Sequence, residues 1–461
     1  MPLLTLFSLF QRLRRTPLRA WPTVELHVQD AAALYMFSFL FSATLGVVRQ
    51  VLLNARFGLG PEAAAYYAAV RLPDTIAILI AGGTLTNALL PVLIRVATRD
   101  GEPAAQRLVN RTLTLLMVVV APFTLGVALA MPWFVDLLLA PGFEPSLQDL
   151  TSNLARIMLL DVLLLVAEAG LIAVLMSRNQ VLLPALAIGL RNVTVIAGVG
   201  IAYLVPEVGI YGPAVGLVVD TIVQIAVLVP GLRQRNYRPQ LLWQPQDRDL
   251  RLVGRLLWPN ALGGVSNSSG AIVDTAFVSL TKQTAAVGAL ANAWLLIGLP
   301  VRLLGVAVGQ AALPRLADLS NRGDLAAMRR TIRRMLLVVS GTAILTMLLL
   351  IGLGRPLIQL LFERGAFDSA AVALTMQLFT LYAIGLPAYV LTEVAARALV
   401  ARYDTLSAMA ANMVQLALRI ILLTILIEPL GPQAIPVAHV ISSLIETIML
   451  LVILGLRTRG V

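Results

Sequence analysis

Thirteen charged residues stand inside or at the edges of long apolar runs. They are Arg49, Arg71, Arg156, Arg191, Arg302 and Arg419, against Asp74, Asp161, Glu168, Asp220, Asp274, Glu393 and Glu446. A charge facing hydrocarbon at mid-depth costs at least about 2.5–3.5 kcal/mol, so such residues belong to a bundle interior or a watered cavity. Guanidinium groups stay charged at any accessible pH and match carboxylate or phosphate oxygens with paired hydrogen bonds, which makes buried arginines candidates for binding an anion. A carboxylate in a low-dielectric site can instead take up a proton or Na⁺ and so couple motion to an ion gradient. Arg156 and Arg419 lie near enough to span ends to read as snorkelling side chains.

Local breaks single out a few of these charges. In Arg71-Leu-Pro-Asp74 a proline interrupts the helical ladder between a basic and an acidic side chain, and Gly82-Gly83 and Pro91 interrupt the same run again. Gly298-Leu-Pro300-Val-Arg302, followed by Gly305 and Gly309, holds the corresponding place in the second half. Broken helices at matching positions of two halves point to a central site. Arg49 ends the run before the short 55–62 connection, which makes it a neighbour of Arg71. A third region, Pro259-Asn260 through Gly263, Gly264, Ser266–Gly270 and Asp274, is too polar for lipid and reads as a cavity wall. Arg49, Arg71 and Arg302 are therefore the expected anion-binding residues, and Asp74 and Asp274 the expected ion-coupling ones.

Catalytic alternatives are few. The chain has no cysteine and two histidines, His27 and His439, which excludes disulfides, thiolate chemistry and a histidine-rich metal site. No Walker-type phosphate loop is present, and no serine–histidine pairing is plausible with histidines beside the first and last spans. The expectation is a non-enzyme without cofactor or metal, coupled if at all to membrane potential or an ion gradient.

The elements that position these residues follow from composition. Of 461 residues 59% are hydrophobic and 13% charged, and mean hydropathy is +0.87. That excludes a soluble domain and specifies an all-α polytopic membrane protein. Apolar runs place spans near 31–54, 63–94, 112–134, 153–176, 182–204, 209–231, 257–281, 289–314, 334–354, 370–396, 405–427 and 433–456. Alternate connections hold 25 basic residues against 4, without a break in the alternation, so both termini are expected in the cytoplasm. The net charge of +11 thus orients spans and meets anionic headgroups rather than nucleic acid. Leu3–Phe10, followed by Arg12, Arg14, Arg15 and Arg19, reads as an amphipathic surface segment.

An internal repeat divides the chain. ALLPVLIRV (88–96) resembles AALPRLADL (311–319), RDGEPAAQRLVNRTLT (99–114) resembles NRGDLAAMRRTIRRML (321–336), and APGF (140–143) corresponds to ERGAF (363–367), all at an offset near 223. Two parallel copies of six spans around a central cavity are expected. The divisions are a surface segment 1–30, an N-lobe 31–231, a linker 232–256 and a C-lobe 257–461.

Several segments together resemble a known family. LGVVRQVLLNARFG (45–58), AAYYAAVRLPD (64–74), ALLPVLIR (88–95), PWFVDLLLAPGF (132–143) and SRNQVLLPALAIGLRNV (177–193) stand in the order found in the MurJ/MviN family of lipid-linked oligosaccharide flippases. LLGVAVGQAALPRL (303–316), LLFERGAFD (360–368) and LYAIGLPAYVLTEVAARALVARYDT (381–405) continue it. The resemblance implies a two-lobed exporter fold and alternating-access transport of a polyprenyl-diphosphate-linked sugar of the lipid II type. Its partners would be that lipid-linked glycan, membrane lipids and cell-wall synthesis proteins, and its location the bacterial cytoplasmic membrane. Family charges are missing at Ala43, Gln50, Ala64, Ala77, Leu295 and Gly298, while Arg49 and Arg71 remain and Arg302 lies two turns beyond Leu295. A flippase for another polysaccharide unit, an ion-coupled small-molecule antiporter and a non-transporting scaffold are the competing readings.

Overall fold

A computed structural model describes residues 28–80, 84–234 and 236–458, with residues 258–268 described as backbone. Apart from one bridge between Arg364 and Phe367, the described residues hold no strand. The helices are α1 (Val28–Phe57), α2 (Pro61–Ala69), α3 (Arg71–Ile80), α4 (Thr84–Asp100), α5 (Glu102–Leu129), α6 (Pro145–Met176), α7 (Leu182–Leu190), α8 (Val193–Leu204) and α9 (Tyr211–Gln234). They continue as α10 (Arg248–Leu280), α11 (Thr284–Pro300), α12 (Ala307–Asn321), α13 (Leu325–Phe362), α14 (Ser369–Ile384), α15 (Leu386–Val400), α16 (Thr405–Leu430) and α17 (Ala434–Thr458).

Eleven of the twelve expected spans lie within the described residues and are mainly helical, while the second, 63–94, includes residues 81–83, which lie outside them. Among the described residues eight helical stretches are long and apolar enough to cross a membrane, and α14 with α15, bent by 46° at Gly385, make a ninth. One of the eight, Thr405–Thr458, contains both α16 and α17, separated by the turn Gly431–Gln433. Large apolar side chains face outward along them, such as Leu345, Leu348 and Leu353 on α13, each more than half exposed. That outward apolar surface suits lipid.

Helix ends follow local chemistry. Asp324, Asp368 and Asp404 cap α13, α14 and α16 by accepting the N–H of Ala327, Ala371 and Ser407 at 2.9, 2.8 and 3.1 Å. Proline opens α2, and Pro103 and Pro387 stand in the first turns of α5 and α15, where no N–H is needed.

Two expected breaks are refined. The break before Asp74 falls at Val70, so Pro73 sits in the first turn of α3 rather than inside a helix. At Pro300 the helix does not stop; it widens into a π-turn, Val301–Val306, that carries Arg302 and passes into α12. The segment 1–27, Gly82-Gly83 and the side chains of Pro259–Ser268 lie outside the described residues.

The chain forms two compact units. The first comprises the chain to Leu53, Ala69–Val135 and Gln148–Ser268. Within it α4 packs on α5, and α7 and α8 pack on α9. The second comprises Asn54–Ala68, Asp136–Leu147 and Ser269–Val461, with α11 against α14 and α17 against α15 and α16.

Candidate functional site

In the first unit the charges gather at a broken span. Between α7 and α8, Arg191 is extended (φ −53°, ψ 134°) and Asn192 is left-handed at φ 85°. The break exposes backbone groups that side chains satisfy. Asp220 Oδ1 on α9 accepts the Asn192 N–H at 3.1 Å and the Thr194 hydroxyl at 2.9 Å, and Gln224 donates to its other oxygen at 3.0 Å. Arg49 Nη1 donates to Asn192 Oδ1 at 2.8 Å, and Asn192 Nδ2 to the Ser42 carbonyl at 3.3 Å. α1 is thereby tied to the break by the side chain of one asparagine.

Arg71, Arg191 and Arg49 act together on Asp74, which remains exposed. Arg191, itself exposed, also lies within electrostatic reach of the buried carboxylates Asp161, Glu168 and Asp220. Three guanidinium groups and four carboxylates thus share one region of this unit. Guanidinium groups set among carboxylates in this way can offer charge-assisted hydrogen bonds to an anion.

In the second unit Asp274 on α10 forms an ion pair with Arg419 on α16, which is buried at 5% exposure. This corrects the snorkelling reading of Arg419. The residue lies mid-helix, and its guanidinium rests over Gly270, 2.8 Å from where a Cβ would stand. Beside it His439 is enclosed by Trp294, Tyr389 and Tyr382, with ring centroids 4.8, 4.9 and 5.7 Å away. Arg302 stands exposed in the π-turn. Gly305 and Gly309, one helical turn apart, make room for Glu393 and Arg397, which pair along α15. Arg156 donates to the Ala128 carbonyl at 2.9 Å, closing the end of α5.

The second unit also ties the arginine-poor ends of the first repeat to the second. Asn54 and Asn292, both fully buried, exchange reciprocal amide hydrogen bonds of 2.9 and 3.2 Å, and Tyr67 donates to Asn54 at 3.4 Å. The Ala366 N–H donates to the Ala55 carbonyl at 2.8 Å, and the Gly142 N–H to the Ser279 hydroxyl at 3.1 Å. Gly142 and Gly365 stand at equivalent repeat positions, and each meets a helix end of the other repeat. A Cβ on Gly142 would lie 2.1 Å from the Ser279 carbonyl oxygen, and one on Gly365 2.2 Å from that of Ala55.

Of the expected site residues, the structure brings Arg49, Arg71 and Asp74 together in the first unit, while Arg302 and Asp274 belong to the second. Sequence reasoning gave no role to Asn192, Asp220 or Arg191 as the centre of the first cluster. The available signal was an Arg-Asn pair in mid-span, since asparagine tolerates the left-handed region better than most residues.

The chain and its fold have counterparts among known proteins. The family model described as lipid II flippase MurJ matches residues 53–460. A probable lipid II flippase MurJ of Rhizobium meliloti is 28% identical over 424 residues, covering 89% of this chain and 77% of that protein. A probable lipid II flippase MurJ of Bdellovibrio bacteriovorus is 28% identical over 448 residues, covering 94% and 83%. Among solved structures, a lipid II flippase MurJ in an inward closed conformation has a TM-score of 0.78 at 22% identity, covering 92% of this chain and 87% of that one. An inward-facing multidrug resistance transporter of the MATE family has 0.77 at 12% identity, covering 93% and 98%, and so shares the fold alone. With a family model spanning nearly all the described helices, this multi-pass membrane chain belongs to the lipid II flippase MurJ family.

Proposed function

We propose that this protein carries a polyprenyl-diphosphate-linked cell-wall precursor of the lipid II type across the bacterial cytoplasmic membrane by alternating access. Both termini are on the arginine-rich, cytoplasmic side. The observation that carries the reading is the group of Arg49, Arg71 and Arg191 at the broken span, set around Asp74. A diphosphate offers about two negative charges and several oxygens, and arginine forks bind such groups with paired, charge-assisted hydrogen bonds. Arg302, exposed on its π-turn in the second unit, is a separate candidate for binding the anion. Transport by this route makes and breaks no covalent bond.

Asp74 and Asp274 are the proposed ion-coupling carboxylates. They start from different states: Asp74 is open among arginines, whereas Asp274 already holds the Arg419 guanidinium. Coupling at Asp274 therefore requires Arg419 to let go during the cycle. The bonds at Asn54–Asn292, Ala55–Ala366 and Gly142–Ser279 keep the arginine-poor side closed, and they break when the site opens there.

The test is complementation of a strain depleted of its lipid II flippase, scored by growth and by accumulation of the lipid-linked precursor. The wild-type chain restores growth; Arg49→Ala and Arg71→Ala insert normally and fail, with Arg49→Lys intermediate. Normal transport by both alanine variants and their double would move the diphosphate site to Arg302 or Arg191. Asp74→Asn and Asp274→Asn should make transport independent of the ion gradient or membrane potential; unchanged dependence in both removes the coupling role.

A further inference from the structure

Between α9 and α10 the chain does not hang free. Tyr237, 7% exposed, donates to Asn110 Oδ1 on α5 at 2.6 Å, and Asn110 Nδ2 donates to the Arg238 carbonyl at 2.9 Å. The Leu242 N–H donates to Thr114 Oγ1 at 3.0 Å, and Arg111 pairs with Asp247 at 2.5 Å. Arg99 of α4 reaches Asp249 at 2.8 Å. The connection is thus stitched along one face of α5, from Asn110 to Thr114.

That stitching fixes its depth. Thr114 lies four residues, or about 6 Å of helix rise, before Val118 and Val119, which are 49% and 59% exposed and begin the lipid-facing surface of α5. On the other side stand the cationic Arg107 and Arg111. The linker therefore crosses α5 where arginine gives way to exposed apolar side chains, which is the level of a membrane interface.

At that level the linker turns apolar side chains outward. Leu241 is 88% exposed and Trp243 57% exposed, while the Leu242 backbone between them points into the protein. Around them Arg233, Arg238, Arg248, Arg251 and Arg255 are all exposed. Arg248, Arg251 and Arg255 recur at i, i+3 and i+7, one face of α10, whose opposite face buries Leu250 and Val253. The acidic residues of the stretch, Asp247 and Asp249, are engaged by Arg111 and Arg99 and do not neutralise that face. An exposed tryptophan and leucine inside a ring of arginines match the acyl boundary and phosphates of an anionic leaflet.

We infer that the 237–255 linker is an interfacial anchor, with Leu241 and Trp243 inserted among the acyl chains and Arg238, Arg248, Arg251 and Arg255 holding anionic phospholipid headgroups. The occupant is the leaflet on the arginine-rich side, and the inference does not depend on which lipid-linked substrate the chain carries.

The absence of native cysteine makes the test direct. Trp243→Cys and Leu241→Cys are labelled with an environment-sensitive bimane, and the full chain is reconstituted in vesicles of phosphatidylcholine alone or mixed with phosphatidylglycerol. Gln246→Cys serves as an aqueous reference. With phosphatidylglycerol present, labels at 241 and 243 shift to the blue and are quenched by lipids spin-labelled near the headgroup, but not by iodide; the label at 246 behaves oppositely. Each of Arg248→Gln, Arg251→Gln and Arg255→Gln lowers the inserted fraction about fivefold, the equivalent of about 1 kcal/mol per arginine near an anionic surface. Iodide quenching at 241 and 243 in both vesicle types would overturn the anchor and leave the patch open to a protein partner. Insertion indifferent to phosphatidylglycerol and to all three substitutions would overturn the headgroup assignment.

Discussion

Removing one member of the Arg419–Asp274 pair strands its partner in a mostly buried place, the two side chains being 6% and 17% exposed, so each single substitution should be costly and the double one mild. Breaking a buried pair typically costs about 3–5 kcal/mol, whereas replacing both partners with apolar groups is often neutral. Arg419→Met or Asp274→Leu alone should lower the unfolding temperature in detergent markedly, and the double variant should recover most of the loss. Equal, additive losses would show that the two residues do not depend on each other. Asp274 stands out in the sequence because a carboxylate has no business in lipid, yet nothing near it names a partner 145 residues away. Arg49 and Arg71 stand out in the sequence because each adjoins a break or a short turn, and the structure sets both within electrostatic reach of Asp74. Arg191 was visible only as another misplaced charge, because its break is made by Asn192 rather than by proline or glycine.

Breaks and caps carry the element-scale predictions. Asn192→Gly keeps the left-handed backbone and removes the amide that accepts from Arg49, so it should weaken substrate retention with little loss of stability. Asn192→Val forces a β-branched residue into φ 85° and should cost about 1–3 kcal/mol in thermal unfolding. At the start of α16, the Ser407 hydrogen bonds and then Arg457 hold the Asp404 carboxyl below its ordinary value near 3.8. A depressed folded value means stability that is complete above pH 3.8 and lost as pH falls through the lower folded value. Asp404→Ala should therefore cost about 1 kcal/mol at neutral pH. That difference should shrink in acid, as a pH series of melting curves would register. Helices themselves were readable from apolar length. Exact breaks were not: proline marks a disfavoured ladder, but whether the chain parts three residues earlier or widens into a π-turn depends on what packs beside it, as Glu393 and Arg397 pack on Gly305 and Gly309.

At the scale of the molecule, the all-helical two-repeat fold was legible in the sequence, because composition and an internal repeat are properties of the whole chain, whereas the alternating arginine count speaks to orientation alone. The contacts made by the paired loops were not legible, although their glycines sit at equivalent positions. Gly142→Val and Gly365→Val push side chains into the backbone of Ser279 and Ala55 and should open the arginine-poor side. Impermeant thiol reagents should then reach Ser279→Cys or Ala55→Cys from outside faster than in the parent; unchanged rates would mean that the glycines do not hold that side shut. Topology is checked in the same way, with Glu144→Cys, at an exposed position, labelling from outside and Gly323→Cys only from inside. The Arg419–Asp274 pair has a consequence for biogenesis. α10 is synthesised well before α16, so Asp274 enters the bilayer while its partner is still unmade, at a cost of up to about 2.5–3.5 kcal/mol, the figure for a charge at a span's centre. Until α16 arrives the carboxylate is unmatched, so a chain truncated before Arg419 should be degraded faster in the membrane than one truncated after α16, as a pulse-chase would register.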